Sequence, residues 1–474
     1  MNRFNKYKTL ILFAAVLVMG VYSCRSYKNL SEVPSPDTKG LVRDTVVNAT
    51  DTITIANIPW KQYFADPKLQ QLITEGLQNN YDLRIALKRI EEAEANLMMA
   101  KAANLPSVNI GAQVNYTQIS SGSKGTHVLG YYSNISNVNE LGFSASWEID
   151  LWGKLNSQAK VKYASYLNSE ENKNLVQTTL IANIANAYYT LMTYDEQLKI
   201  TKETVISLQK SAETIQSLMT AGQQSAAAVE QSKALLYSTQ LSIPDLEKQI
   251  RQQENALCIL IGRKPGLVDR STIHEQTVSA HLLGGVPAQM LSRRPDVKQA
   301  ELALRAAYST VDIAKANFYP SLTISSASLG FASGEFSDFF KPANIAANIV
   351  AGLTQPIFAQ NQLKGNLKIA KAQQEEALLT FQSTVLSAGQ EVSDILFGYR
   401  CSLNKNGNRD NQINSLIKSV DYTQELLKAG EANYTEVLSA QRDLLAAQLN
   451  RVNDKLEQLS YGVNLYRALG GGTR

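Results

Sequence analysis

Cysteine and histidine are nearly missing from this chain of 474 residues, which has three of each. His127, His274 and His281 stand apart from one another and from any cysteine, and no CxxC or Cys/His spacing occurs. Sites that repeat their metal ligands at short fixed intervals are thereby excluded. GxSxG, HExxH and the glycine patterns that bind phosphates or dinucleotides are absent too. The sequence points away from an enzyme and asks for no cofactor and no metal.

An excess of charge is also missing. Basic residues number 46 and acidic ones 42, and three of the basic ones, Arg3, Lys6 and Lys8, sit in an N-terminal stretch without an acid. The other 43 nearly balance the acids, so no basic footprint for nucleic acid remains. A membrane-spanning apolar run is lacking as well. "TLILFAAVLVMGV", Thr9 to Val21, has thirteen residues, where a spanning helix needs about 20. Behind the basic "MNRFNKYK" it reads as the core of an export signal over residues 1–23. Cys24 directly follows and reads as the lipidated first residue of a bacterial lipoprotein; the alternative is an ordinary signal peptide with an incidental cysteine nearby. Tyr22 stands where a lipobox has a small residue. Cys258 and Cys401 fall in helical patterns, as two packed thiols or, in an oxidising compartment, as a disulfide.

What the chain does contain is itself, twice. "AKAANLPSVNIG" (Ala100–Gly111) returns as "AKANFYPSLTIS" (Ala314–Ser325), 214 residues on, and Asp82, Ala86 and Ala93 return at the same offset as Asp296, Ala300 and Ala307. "WEIDLWGKL" from Trp147 has a longer counterpart in "LTQPIFAQNQL" from Leu353. At an offset of 208, Gly222 meets Gly430, Val229 meets Val437 and Gly262 meets Gly470. The period is too long for a solenoid. We divide the chain into a segment 24–59, a first repeat 60–262, a linker 263–289 and a second repeat 290–474.

Each repeat has one grammar. An alanine-rich helix (about Leu83–Asn104, then Val297–Phe318) reaches a Pro-Ser boundary at Pro106 or Pro320. Two strand-like segments follow, near 106–150 and 320–356. Proline ends the helix because it lacks an N–H and its ring clashes with the preceding turn. Val108, Ile110, Ala112, Val114 and Tyr116 alternate with small or polar residues, as do Phe143, Ala145, Trp147 and Ile149. That is period two over about ten residues, the length of a transmembrane β-strand, although a soluble hairpin with one buried face alternates equally well. In the second repeat "SLTISSASLGF" alternates only weakly.

A long helical stretch comes next, without proline from about Asn156 to Ala221, or about 100 Å of helix. Val176, Leu180, Ile184, Ala187 and Leu191 form one apolar stripe, echoed by Leu378, Phe381, Val385, Val392 and Ile395, against faces rich in Gln, Asn, Ser, Thr and Lys. Each stretch ends at an Ala-Gly break, Ala221-Gly222 or Ala429-Gly430, before a return helix. Four strands cannot close a barrel, since the smallest membrane barrels have about eight, and an open sheet cannot sit in lipid with unpaired edges. Membrane strands here require several chains to pool them.

"RRPDVKQAELALRAAYSTVDIAKANFYPSLTIS" (Arg293–Ser325), "WKQYFADPKLQQLITEGLQNNYDLRIA" (Trp60–Ala86), "SWEIDLWGKL" and "RALGGG" resemble the TolC-like outer-membrane factors, in the lipoprotein branch that serves RND-type efflux pumps. The resemblance implies an α+β membrane protein and a homotrimer whose twelve pooled strands form an outer-membrane barrel. A periplasmic α-helical barrel and a mixed equatorial girdle would continue it. It implies a passive exit duct in the outer-membrane lipid, docked through its helix tips on a periplasmic adaptor that bridges to an inner-membrane RND-type pump. Gly222, Gly430 and Tyr434 become candidate adaptor contacts. Glu436 falls where the family narrows its closed entrance with acids, while Ser439 falls where a second carboxylate can occur. The plain alternative for Glu436 is an exposed acid favoured by a helix N-terminus. Trp147, Trp152 and Phe358 read as an interfacial aromatic belt or as girdle packing. The competing functions are the outer-membrane part of a type I protein-secretion system and a lipid-anchored periplasmic coiled-coil scaffold.

Overall fold

The computed structural model describes residues 27–34, 41–43, 58–118, 135–277, 293–333 and 336–473. Cys24, the leader 1–23 and the last part of the linker lie outside the described residues.

After a single helical turn at Trp60–Tyr63, the elements are α1 (Pro67–Asn79), α2 (Tyr81–Ala102), β1 (Ser107–Gln118), β2 (Ile135–Ile149), α3 (Lys154–Thr220) and α4 (Ala226–Leu260). The linker then leads to α5 (Pro295–Ala316), β3 (Ser321–Ser333), β4 (Ile345–Thr354), α6 (Gln362–Ala429) and α7 (Tyr434–Ala468). The duplication is visible in the lengths. Helices α2 and α5 have 22 residues each, α3 and α6 have 67 and 68, and α4 and α7 have 35 each.

The chain divides into two compact units that interleave along the sequence. One gathers Met1–Pro34, Ile90–Ser169 and Ala300–Phe381; the other gathers Ser35–Arg89, Glu170–Gln299 and Gln382–Arg474.

The first unit is built on a four-stranded antiparallel sheet in the order β1-β2-β3-β4. Its register sorts the side chains into two faces, because successive residues of a strand point to opposite sides. Rows such as Val108–Ala145–Ala327–Ile349 and Ile110–Phe143–Leu329–Ala347 make one face apolar across all four strands. Rows such as Asn109–Ser144–Ser328–Asn348 and Gln113–Glu140–Ala332 make the other small or polar.

The weak alternation of "SLTISSASLGF" has a geometric cause. Ala145 pairs with Ala327 but Trp147 pairs with Ile324, and β4 skips one residue of β3 at the same level. Ser325 is thus the extra residue of a β-bulge, which reverses the parity of the chain. Leu322 and Ile324 on one side of it and Ala327, Leu329 and Phe331 on the other all join the apolar face. A further row, Gly111–Gly142–Gly330–Ala346, crosses the sheet at one level of the small-residue face. There β2 and β3 approach closely: a Cβ on Gly142 would lie 2.8 Å from the Leu329 carbonyl oxygen, and one on Gly330 would overlap that of Leu141.

The second unit is helical. Helix α6 buries one stripe, Val385, Ala388, Val392 and Ile395, as its periodicity predicts. Helix α3 departs from that expectation between Leu180 and Met192. Ile181, Ala182, Ile184, Ala185, Tyr188, Tyr189, Leu191 and Met192 are all buried there, more than one face can hold. The reason lies in what wraps this stretch. Tyr188 Oη donates to Asp66 at 2.9 Å, Gln177 Nε2 to the Gly472 carbonyl at 2.7 Å and Asn186 Nδ2 to Asn464 at 3.3 Å. Cys258 is buried, Cys401 is half-buried, and both are free thiols.

The glycine row yields a test. Gly330→Ala forces β2 and β3 apart and is expected to cost about 1–3 kcal/mol, the usual range for overpacking. Gly111→Ala meets nothing within 4 Å and is expected to change stability by less than about 0.5 kcal/mol. Thermal unfolding of the two purified variants, followed by circular dichroism, measures the difference.

Candidate functional site

Among the described residues no group of three or more His, Cys, Asp or Glu is placed to hold a metal; the described residues singled out above lie at or beside the points where one element gives way to the next. Three such places occur in each repeat, and each is made twice with the same backbone hydrogen bonds.

The first is the helix-to-strand junction. Ala103 N–H donates to the Met99 carbonyl, Asn104 N–H to Lys101 and Leu105 N–H to Ala102, just before Pro106. Asn317, Phe318 and Tyr319 make the same three bonds to Ile313, Lys315 and Ala316, just before Pro320. The last turn tightens, the proline supplies no N–H, and the strand opens at Ser107 or Ser321. In each copy a side chain in or directly after the second strand of the pair caps the freed carbonyl. Trp147 Nε1 donates to Asn104 O and, 208 residues on, Gln355 Nε2 donates to Phe318 O, both at 2.9 Å. Trp152 stacks on Tyr319 at 4.8 Å and donates to the Pro320 carbonyl at 2.7 Å. Phe358 is 86 % exposed.

The second place is the helix tip. Gly222 and Gly430 have φ of +75° and +77°, a conformation that glycine adopts without steric cost. Gly222 N–H bonds to Met219 O and Gln223 N–H to Leu218 O; Gly430 and Glu431 repeat this to Leu427 and Leu426. This paired closure of a helix end around a left-handed residue is the Schellman motif. The return helices are then capped by Ser225, which accepts from Ala228 N–H, and by Asn433, which accepts from Thr435 N–H. The two tips share a core of Ile215, Ala228, Val229, Leu427 and Val437. Tyr434 packs against that core, so part of this candidate contact residue is structural. Glu436 occupies the first turn of α7 and Ser439 follows it, both exposed.

The third place is where the return helices end. Gly262 and Gly470 repeat the left-handed closure. Asn80 Nδ2 caps the Leu260 carbonyl at 2.9 Å, and 214 residues on Arg294 caps the Ala468 carbonyl, also at 2.9 Å. Arg294 is buried and forms ion pairs with Asp296 and Glu391, each at 2.7 Å. Arg467 also pairs with Glu391. Burial works against the charge on Asp296, but its hydrogen bonds to Arg294 and that residue's field prevail and hold the carboxyl below its ordinary value. A further centre anchors the linker. Arg270 pairs with Asp195 and, at 2.6 Å, with the buried Glu254. Asp66 caps α1 and accepts from Tyr188 and from Gln276, and burial pushes the Tyr188 hydroxyl up to about 12. The sequence motifs contain Arg294 and Asp66 without giving either a role, and Arg270 was missed; Arg294 left a signal in its place opposite Asn80 in the repeat, and Asp66 in the proline that follows it at the first position of α1.

A sheet with membrane-strand lengths and one apolar face, entered and left through duplicated helix hairpins, defines an outer-membrane channel subunit. The family described as outer membrane efflux protein matches residues 72–263 and 286–471, and the chain belongs to it. It is 28% identical over 469 residues to the probable outer membrane lipoprotein SilC of Salmonella typhimurium, covering 98% of this chain and 99% of SilC. It is 30% identical over 444 residues to the cation efflux system protein CusC of Escherichia coli strain K12, covering 93% and 94%. Among solved structures, the outer-membrane channel OprN superimposes with a TM-score of 0.85 at 25% identity, over 94% of this chain and 99% of that one.

These ion pairs are testable. Arg294→Met strands Asp296 and the Ala468 carbonyl and leaves Glu391 to Arg467 alone, and is expected to cost about 3 kcal/mol or more, as broken buried pairs do. Because Asp296 titrates lower in the folded chain than in the unfolded one, its contribution is complete above about pH 4 and fades as pH falls through the folded value. The stability advantage of the native chain over Asp296→Asn should therefore shrink below about pH 4, measured by thermal unfolding across the acid range.

Proposed function

We propose that three copies of this chain form the exit duct of a tripartite efflux system in the bacterial outer membrane. One observation carries the reading: the sheet has an apolar face and a small or polar face, and among the described residues its outer strands β1 and β4 each pair on one side only. An open edge is not tolerated in lipid, and three chains with four strands each supply a closed ring of twelve. The apolar rows then face lipid and the serine, asparagine and glycine rows face the bore.

In this assembly Cys24 carries the lipid, and Pro106 and Pro320 mark the base of the barrel. The tips at Gly222 and Gly430, with the exposed part of Tyr434, meet a periplasmic adaptor that bridges to an RND-type pump in the inner membrane. The duct does no chemistry; the pump supplies the driving force and selects the substrate. SilC and CusC carry names that place them in the outer membrane and in cation efflux, which favours efflux over protein secretion. Three copies of Glu436 around a threefold axis repel one another and attract cations, narrowing the resting entrance.

The test is single-channel recording on the full-length chain in planar bilayers. Glu436→Ala should lower cation preference by about twofold or more at low salt, with the difference shrinking as salt screens the carboxylates. Unchanged conductance and selectivity would remove Glu436 as a gate. Protein that forms no channels at all would remove the duct.

A further inference from the structure

One turn back from the shared apolar core of the tips, the packing changes from dry to polar. Ile215 of α3 and Val437 of α7 belong to that core. Ser211 and Gln441 lie four residues farther from the turns on the same two helices, and both are buried. Gln441 Nε2 donates to Ser211 Oγ at 2.6 Å, and Gln424 Nε2 of α6 reaches the same oxygen at 3.5 Å. Helices from both repeats thus meet at one hydroxyl.

This bonding leaves two ends untied. A serine hydroxyl has two lone pairs and one proton. With amides on the lone pairs, the Ser211 proton needs an acceptor. Elsewhere on α3, Thr193, Thr201, Thr214 and Ser217 donate to the carbonyl four residues back; Ser211 Oγ faces α6 and α7 instead. The other loose end is Gln441 Oε1, which is buried with no partner among the described residues. A bare buried acceptor carries its full desolvation penalty.

Gln441 borders a cavity of about 170 Å³, lined by the apolar Leu208, Val420 and Leu444 and by the polar Thr204, Ser207 and Gln448. A water needs about 10–15 Å³ of such space and two to four polar partners, and this cavity offers both. The pattern of loose ends decides what fits. A cation satisfies Gln441 Oε1 but leaves the Ser211 proton bare. An anion suits only an amide turned over, with Oε1 on Ser211 and Nε2 facing the cavity, and the exposed carboxylate of Glu203 on the same lining repels it. Water both donates and accepts, so it serves either orientation of the amide.

We infer that a water molecule is bound between α3 and α7, donating to Gln441 Oε1 and accepting from the Ser211 hydroxyl, and that this wet layer sets the height of α7 against α3. Polar partners that close in one arrangement only fix a register that an apolar layer leaves loose. The site requires only helices of one chain and does not rest on the proposed duct.

Hydroxyl-radical labelling by a brief X-ray exposure tests it on the full-length protein in detergent, because radicals born from a held water oxidise side chains that bulk solvent does not reach. Leu208 borders the cavity and is buried, and Leu191 is buried on the same helix away from it. The expected result is oxidation of Leu208 several-fold faster than of Leu191 in the native chain. Gln441→Leu, which removes the acceptor, should bring Leu208 down to the rate of Leu191. Ser211→Ala, which removes the donor but widens the space, should lower it too. Equal protection of Leu208 and Leu191 in the native chain overturns the site. Faster oxidation of Leu208 in Ser211→Ala shows a cleft open to bulk solvent and also overturns it. If a variant loses its fold, Leu191 is oxidised as well, and the comparison within the native chain decides.

Discussion

A β-strand in lipid has no water to satisfy its backbone, and the rest of this structure depends on that constraint. Helices close their own hydrogen bonds; strands need neighbours. The described residues supply four strands with three pairings, and among them β1 and β4 each have one edge without a neighbouring strand. A subunit of this kind is a sector of a wall. It must enter the sheet from helices and leave it to helices, so the proline junctions matter more than any single side chain within the strands.

The duplication shows what such a sector has to keep. Where the two repeats perform the same turn, the backbone bonds agree residue for residue, while the capping side chains have changed chemistry. A Trp147 indole does at one junction what a Gln355 amide does at the other. Asn80 and Arg294 cap equivalent carbonyls, but only the arginine brings Asp296, Glu391 and, through Glu391, Arg467 with it. The second repeat has thus gained a charged clasp where the first has a neutral amide. A carbonyl at a helix end must be satisfied, and many donors can do it. That freedom explains how two halves keep one architecture with little sequence in common.

Legibility in the sequence followed the range of the interactions. The Ala-Gly breaks and the Pro-Ser boundaries are local devices, set by left-handed φ and by a missing N–H, and they could be read from a few residues. The strands of the first repeat could be read because their period was unbroken. Those of the second were blurred by one residue, Ser325, whose bulge shifts the phase of everything after it. Helix α3 promised a single stripe because periodicity reports one packing partner; the linker, α1 and the C-terminal end add others from far along the chain. Arg270 is the extreme case. Its partner Asp195 is 75 residues away, and nothing near either residue announces the pair.

The tip shows the same division between local and distant causes. The turn was legible in Gly222 and Gly430, but Tyr434 sits over a core assembled from both hairpins, with Ile215 from one long helix and Leu427 from the other. Its ring therefore ties the two tips together while leaving its neighbours Thr435 and Glu436 on the surface. A tip that docks on another protein, as we propose for this one, needs a rigid base beneath exposed polar groups, because a flexible base would lose ordering entropy on each encounter. The shared apolar core provides that base. It also gives the exposed acid of α7 a fixed position relative to both hairpins, which a charge needs if it is to act on ions passing the entrance and not merely solubilise the helix end.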